Sequence, residues 1–280
     1  MRSSFSDRKV GLALSSGAAR GLAHIGVLEI LEKEEIPINM IAGTSMGAII
    51  GAMYAQGKNA AEMKEAVLDL GWMEMAGMVA LTSPKAGLLS GRKIKARLKE
   101  IIGELDFADL RIPFACVATD ILSGEEVVIK HGPVLEAVIA SMSLPVIFRA
   151  AKWHGSYLVD GGIVNPVPVS VLKGMGADFI IASNVVVKPV DRVKKTQPAA
   201  DMQKHSGKVK EPNIINIMMQ FVNITSYQAL KHGIAGADVV IKPGVADIGF
   251  SDFKSARECI FQGELAAKAF MPEIKQLLSD

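Results

Sequence analysis

The most constraining feature of this 280-residue sequence is that short, almost wholly apolar runs alternate with stretches of helical periodicity. The apolar runs are predicted to form strands, at residues 10–14, 39–42, 114–119, 157–159, 179–187 and 239–241. Helices are predicted over residues 26–35, 47–56, 60–70, 91–102, 133–141, 166–173, 214–232 and 255–278. Strands that are apolar on both faces need cover on both faces, which is typical of a largely parallel sheet between helical layers. The sequence therefore predicts a three-layer α/β/α fold.

The balance of charges and the cysteine count exclude several classes of protein. The sequence has 31 Lys and Arg against 29 Asp and Glu, a net charge of +2, whereas a general nucleic-acid binder needs a clear excess of basic side chains. Two cysteines, Cys116 and Cys259, are too few for a disulfide framework, and no further ligand residues cluster with them. We therefore expect no nucleic-acid partner, no metal and no disulfide-stapled extracellular domain.

The chain is also predicted to lack a membrane-spanning segment. The first apolar run, residues 10–14, is shorter than the roughly 7–15-residue apolar region of a signal peptide. Residues 36–57 are uncharged, carry glycines in GxxxG spacing and have the right length for a span. Pro37, Asn39 and Gln56 interrupt this segment, so the spanning alternative is disfavoured. We predict a soluble cytoplasmic protein, whose contact with a membrane, if any, is peripheral.

Two stretches have unusual composition. Residues 188–213 are rich in Lys and Arg and poor in apolar residues, which favours a mobile surface loop. The alternative is a basic patch that contacts anionic lipid head groups. Residues 72–81 include Met73, Met75 and Met78. Such a run is typical of a core, and an adaptable apolar wall for an acyl chain is the alternative.

The first motif that indicates chemistry follows the predicted strand 39–42. It matches G-x-S-x-G and comprises Gly43, Thr44, Ser45, Met46 and Gly47. Between a strand and a helix, this pattern predicts a sharp turn that exposes the Ser45 hydroxyl at the carboxyl edge of the sheet, beside the helix N-terminus. The alternative is a glycine-rich turn without chemistry.

The second motif is a loop of small residues between the first strand and the first helix. Its candidate site residues are Ser16, Gly17, Ala18, Arg20 and Gly21. Such a loop presents free backbone N–H groups, which suit a phosphate or the oxyanion of ester hydrolysis. Because Ser16 and Ala18 break the dinucleotide fingerprint G-x-G-x-x-G, and no Walker A sequence is present, nucleotide binding is the weaker alternative.

The third motif is Asp160, Gly161 and Gly162, directly after the apolar residues 157–159. An Asp-Gly pair alone is more often a turn than a catalytic carboxylate. The five histidines, at positions 24, 131, 154, 205 and 232, are not in a strand-to-loop setting like that of an α/β-hydrolase base. We expect His24, within the first helix, to pack rather than to transfer protons.

Taken together and in this order, the three motifs resemble those of the patatin-like phospholipases, a family of lipid acyl hydrolases that use a Ser–Asp dyad. Residues 12–26 (LALSSGAARGLAHIG), 137–148 (AVIASMSLPVIF) and 165–169 also resemble the family. The likeness covers about residues 8–185, which we expect to form a patatin-like catalytic core. Residues 186–280 are expected to form a basic mobile loop and a C-terminal helical extension that packs on the same domain.

The resemblance implies a reaction and a role for two side chains. Ser45 would attack an ester carbonyl of a phospholipid or another acyl ester, and Asp160 would take its proton without a histidine between them. An acyl-enzyme would form, water would release a free fatty acid, and no metal or cofactor is needed. Because an ordinary Asp, with a pKa near 3.9, is a weak base for serine, we expect the apolar Val159 and Ile163 to raise that pKa by desolvation.

The resemblance also implies that N–H groups around Gly17 and Ala18 hold the oxyanion, with Arg20 steadying the loop. The family usually has a run of glycines where this chain has Ser16, Gly17 and Ala18. If position 18 adopts positive φ, alanine there costs roughly 1–2 kcal/mol. Two alternatives to an esterase therefore stay open: a catalytically weakened lipid- or fatty-acid-binding protein, and a nucleotide-binding α/β module.

Overall fold

The computed structural model describes residues 8–68, 87–145, 148–189 and 214–279, with the side chains of residues 87–93 and 214–216 left aside. The Met-rich stretch 72–81 lies outside the described residues. The same holds for most of the basic segment, residues 190–213. Their predicted roles stay predictions.

The described strands form one eight-stranded sheet. They are β1 (Val10–Leu14), β2 (Met40–Thr44), β3 (Phe114–Asp120), β4 (Glu126–Ile129), β5 (Ala151–Trp153), β6 (Ser156–Asp160), β7 (Phe179–Ser183) and β8 (Val239–Ile241). Seven of them pair in the order β5-β6-β3-β2-β1-β7-β8, and β4 also pairs with β3. The pairs β3–β2, β2–β1, β1–β7 and β7–β8 are parallel, whereas the pairs β3–β4, β3–β6 and β5–β6 are antiparallel. The predicted largely parallel sheet is confirmed.

The helices are α1 (Ala23–Lys33), α2 (Met46–Ala55), α3 (Ala60–Leu68), α4 (Gly87–Ile102), α5 (Val134–Ser141), α6 (Val169–Met175), α7 (Ile214–Gly233) and α8 (Ala256–Ser279). A 3-10 turn, Ala18–Leu22, precedes α1. α6 begins after Pro168, three residues later than predicted, because Pro168 disfavours the helical conformation at the preceding residue, Val167. Among the described helices, none combines the length and the apolar character that crossing a bilayer requires.

Apolar side chains lie on both faces of the sheet. Along β1, Leu12 and Leu14 join the larger core with α1, α2 and α8, whereas Ala13 joins a second core with α6. The same alternation separates Ile41 from Ala42 on β2. Successive side chains of a strand point to opposite faces, so two cores require two helical layers. The predicted α/β/α layering is confirmed.

The C-terminal helix α8 packs closely on α1. A Cβ on Gly26 of α1 would overlap the carbonyl oxygen of Ile260, and a Cβ on Gly263 of α8 would overlap that of Ala23. These glycines therefore permit backbone contact between the two helices. The division of the chain near residue 185 stays a prediction.

Two strands were absent from the sequence prediction, β4 and β5. β4 is half exposed along its length, and β5 has only three residues of mixed polarity. β4 does contain three consecutive apolar residues, 127–129, as many as the predicted strand 239–241, so its omission was an error of the prediction.

Candidate functional site

Ser45 lies in a sharp turn between β2 and α2. Its backbone has φ 57° and ψ −117°, a region that L-residues rarely adopt. A Cβ on Gly43 would overlap the carbonyl oxygen of Gly47, and one on Gly47 would overlap that of Leu14. Both positions of the motif therefore have room only for glycine. The predicted strand–turn–helix setting of Ser45 is what the structure has.

The side chain of Ser45 meets that of Asp160, the last residue of β6. Ser45 Oγ donates a hydrogen bond of 2.6 Å to Asp160 Oδ2. The other carboxylate oxygen accepts the N–H of Gly162 at 2.8 Å, and the Asp160 carbonyl accepts the Thr119 hydroxyl at 2.9 Å. Ser45 and Asp160 are both buried, with 6% and 2% of their surface exposed. Two side chains that are 115 positions apart thus form one buried pair.

Burial changes the acidity of this carboxyl group. Desolvation raises the pKa of Asp160 from 3.8 to about 6, against the opposing effects of the hydrogen bonds from Ser45 and Gly162. A carboxylate with a raised pKa holds a proton more firmly and is a stronger base than an exposed Asp. The direction agrees with the desolvation expected from the sequence.

The loop after β1 presents two N–H groups that no described protein atom uses. Ala19 N–H donates to the Phe250 carbonyl at 3.0 Å, and Arg20 N–H donates to that of Gly17 at 3.1 Å. The N–H groups of Gly17 and Ala18 have no protein acceptor among the described residues. Ala18 has φ 47°, so the positive φ considered from the sequence is present at this position. Two adjacent unpaired N–H groups are what an oxyanion or a phosphate needs.

The three motifs meet in space. A Cβ on Gly162 would lie 2.9 Å from Ser16 Oγ, and one on Gly21 would lie 2.5 Å from Met46 Cγ. The Asp160 turn therefore touches the loop after β1, and this loop touches the residue that follows Ser45. Gly161 is equally confined, because its Cβ would overlap the Val117 carbonyl oxygen. All the site residues named from the sequence lie in this one region.

Arg20 connects the loop to the C-terminal part of the chain. Its side chain is buried, donates from Nη2 to Asn223 Oδ1 at 3.1 Å, and lies over the ring of Phe250 at 5.7 Å. Asn223 belongs to α7, and Phe250 precedes α8. The sequence resemblance did not reach these two partners, and no sequence signal marked them.

His24 is a packed residue, as expected. It is fully buried, and its ring nitrogens pair with the Ser183 hydroxyl at 2.7 Å and the Ser15 carbonyl at 2.9 Å. Desolvation lowers its pKa to about 4, so the ring is neutral near pH 7. A neutral ring donates from Nε2 to the Ser15 carbonyl and accepts the Ser183 hydroxyl at Nδ1.

One further contact of Ser45 escaped the sequence analysis. Its backbone N–H donates to Ser141 Oγ at 2.9 Å. Ser141 ends α5, and it lies within the segment 137–148 that carried part of the resemblance. The signal that could have found it is a serine in an otherwise apolar helical segment that resembles the family.

Comparison with protein families identifies one match. The model of the patatin-like phospholipase family matches residues 12–173, more than half of the chain. That range includes Ser45, Asp160 and the loop after β1.

Several relatives are much longer than this chain. An uncharacterised NTE family protein of Mycobacterium tuberculosis is 37% identical over 177 residues, which cover 63% of this chain and 49% of the relative. The lysophospholipase NTE1 of Debaryomyces hansenii is 28% identical over 274 residues, 92% of this chain and 18% of the relative. The crystal structure of VipD from Legionella pneumophila has a similar fold, with a TM-score of 0.54, 14% identity, and coverage of 95% of this chain and 67% of that chain. The chain thus spans at most about half the length of these two sequence relatives.

Replacing Ala18 with Gly is expected to raise the free energy of unfolding by about 0.5–1 kcal/mol. Glycine relieves the strain of an L-residue at positive φ, which costs the folded state about 1–2 kcal/mol. Glycine also has more conformational freedom in the unfolded chain, which offsets about 0.5–1 kcal/mol of that gain. Urea unfolding followed by circular dichroism measures the difference.

Ala19→Gly is the matched control, because Ala19 is buried in the same turn without positive φ. It is expected to lower the free energy of unfolding by about 1 kcal/mol, since a buried methyl group is lost. Equal destabilisation by both substitutions would contradict backbone strain at Ala18.

Proposed function

Because the chain belongs to the patatin-like phospholipase family, we propose that it is a lipid acyl hydrolase that cleaves phospholipid, lysophospholipid or similar acyl esters. The observation that carries the proposal is the 2.6 Å hydrogen bond from Ser45 Oγ to the buried carboxylate of Asp160. A hydroxyl that already donates to a base is ready to lose its proton during attack. The name lysophospholipase, borne by one longer relative, supports the choice of substrate class.

In the proposed first step, Ser45 Oγ attacks the ester carbonyl carbon while its proton passes to Asp160 Oδ2. Negative charge then develops on the carbonyl oxygen, where the N–H groups of Gly17 and Ala18 stabilise it. One such donor is worth about 10²–10³ in rate. When the tetrahedral intermediate collapses, Asp160 gives the proton to the leaving alcohol, and the acyl group remains on Ser45.

In the second step, water replaces the alcohol. Asp160 takes a proton from this water as it attacks the acyl-enzyme, and the same N–H groups hold the second oxyanion. Collapse releases the fatty acid and returns the proton to Ser45. Asp160 thus serves as base in each attack and as acid in each collapse.

A second candidate function is lipid or fatty-acid binding with weakened catalysis. The positive φ of Ala18 favours it, because this residue occupies a position where the family usually has glycine. The two candidates differ in one respect: a hydrolase has an activated Ser45, and a binding protein does not.

Labelling with a lipid-like fluorophosphonate tests the activated serine. The wild-type protein is expected to gain one adduct by intact mass, and Ser45→Ala none. Asp160→Asn is expected to label at least about 10² times more slowly, which is the typical contribution of a general base.

Circular dichroism spectra of the three proteins serve as the folding control. An adduct that persists on Ser45→Ala would contradict the proposed nucleophile. A folded wild type without any adduct would favour the binding protein.

The pKa of Asp160, about 6, predicts that kcat/KM rises with pH. Only the ionised carboxylate accepts a proton from Ser45, so the rate falls by up to about tenfold for each pH unit below that value and is constant well above it. Hydrolysis of a soluble short-chain ester, measured from about pH 4.5 to about pH 8, gives the profile.

The control for the profile is Asp120→Asn, which removes a carboxyl that accepts the Leu122 N–H outside the candidate site. The variant is expected to keep the wild-type profile. A rate that is flat or falls with rising pH across this range would contradict Asp160 as the base.

We also propose that α7 gives the protein peripheral contact with a lipid surface. Three apolar residues of this helix are exposed: Ile217 by 48%, Phe221 by 57% and Ile224 by 42%. No Asp or Glu occurs between residues 214 and 233, and α7 contributes Asn223 to the contacts of Arg20. An apolar stripe without negative charge, close to the candidate site, suits the surface on which lipid substrates lie.

Phe221→Asp is expected to reduce co-sedimentation with phosphatidylcholine vesicles several-fold, because the charge opposes insertion of α7. Phe261→Asp is the matched control, since Phe261 is 50% exposed on α8. Equal binding by wild type and Phe221→Asp would contradict the proposed contact, and so would equal losses in both variants.

A further inference from the structure

We propose that Ser141 is a positioning residue, whose hydroxyl holds the backbone of Ser45 in the conformation that directs Oγ to Asp160. The inference deepens the proposed function and rests on it. Ser141 touches neither the Ser45 hydroxyl nor the carboxylate by hydrogen bond among the described contacts. Its influence is therefore exerted through the backbone.

The Ser141 hydroxyl acts both as a hydrogen-bond acceptor and as a hydrogen-bond donor. Oγ accepts the Ser45 N–H at 2.9 Å and donates its own proton to the Val117 carbonyl at 2.6 Å. The side chain is fully buried at the end of α5. Because the hydroxyl donates to Val117, its lone pair faces the Ser45 N–H in a defined direction.

Val117 lies beside both halves of the candidate dyad. It is in register with Thr44, the residue before Ser45. The next residue of β3, Ala118, is in register with Asp160 on the same side of the strand, because β4 pairs on the other side. The Val117 carbonyl also leaves no room for a Cβ on Gly161. Ser141 thus connects the Ser45 turn to β3, the strand that pairs with the end of β6 at Asp160.

The Ser45 turn needs such support. With φ 57° and ψ −117°, Ser45 occupies a conformation that persists only where surrounding contacts hold it. Without the Ser141 hydroxyl, the buried Ser45 N–H and the Val117 carbonyl lose their shared partner. The backbone is then free to relax, and the Ser45 hydroxyl moves away from Asp160.

The use of this N–H also excludes one candidate oxyanion donor. Since the Ser45 N–H is directed to Ser141, it does not compete with the N–H groups of Gly17 and Ala18, which are proposed to hold the developing oxyanion. A variant that loses Ser141 therefore changes the position of the nucleophile without touching those donors.

The test compares Ser141→Ala with Ser143→Ala. Ser141→Ala is expected to lower kcat by about 10–100-fold with little change in KM, as displacement of a reacting atom by about 1 Å does. The rate constant for fluorophosphonate labelling of Ser45 is expected to fall by the same factor. Ser141→Cys, which keeps a weaker donor and acceptor, is expected to give an intermediate rate.

Ser143→Ala is the matched control. Ser143 is also buried, and its hydroxyl donates to the Ile139 carbonyl at 2.7 Å. The substitution removes a buried hydroxyl–carbonyl bond two residues away, and kcat is expected to stay within about twofold of wild type. Equal losses in the two variants, or an unchanged kcat in folded Ser141→Ala, would overturn the positioning role.

Hydrogen exchange of the Ser45 amide separates this inference from the proposed function. Ser141→Ala is expected to exchange the Ser45 N–H faster than wild type, and Ser143→Ala is not. If wild type neither labels nor turns over ester, the proposed function fails, and the exchange rate still decides the role of Ser141. Unchanged protection of the Ser45 amide in Ser141→Ala would overturn it. Should Ser141→Ala fail to fold, the same measurements on Ser141→Cys decide.

Discussion

The structure of the candidate site depends on the hydrogen bond between Ser45 and the buried carboxylate of Asp160. Thr44 is in register with Val117, and Asp160 is in register with the next residue of β3, Ala118. Because β4 pairs with both Val117 and Ala118, β2 and β6 lie end to end on the other side of β3. Ser45 follows Thr44 and therefore lies next to Asp160, so that their side chains meet at 2.6 Å without a histidine between them.

This arrangement lowers the stability of the folded protein. The rise of the Asp160 pKa from 3.8 to about 6 corresponds to about 3 kcal/mol, at about 1.36 kcal/mol per pH unit. An acid with a raised pKa in the folded state leaves stability intact below the unfolded pKa and reduces it as pH rises through the folded value. The full cost is present near neutral pH, where a base is useful. Hydrogen bonds to the carboxylate from Ser45 and Gly162 limit this cost.

The sequence predicted the parts of the site that local constraints determine, and missed those that depend on packing. The Ser45 turn was predictable because an apolar strand, two glycines and a helix follow one another within a few residues. The hydrogen bond from Arg20 to Asn223 joins residues that are 203 positions apart in the sequence, and no local sequence pattern predicts a contact over such a separation. The first helix was predicted to start at residue 26, whereas α1 begins at Ala23. Gly26 lies inside α1, where a Cβ would overlap the carbonyl oxygen of Ile260 on α8, a contact that no local pattern predicts.

In the loop after β1, Ser16 and Ala18 stand where the family usually has glycine. The space around each residue of the loop and the state of its N–H groups explain why these residues are tolerated. Gly17 is required, because a Cβ there would lie 2.5 Å from the Val185 side chain. Ser16 is tolerated because its neighbour Gly162 has no side chain, and a Cβ on Gly162 would lie 2.9 Å from the Ser16 hydroxyl. Ala18 keeps its N–H unpaired at the expense of a positive φ. The loop therefore keeps both N–H groups with one glycine where the family usually has a run, so the number of glycines alone does not decide whether an oxyanion site exists.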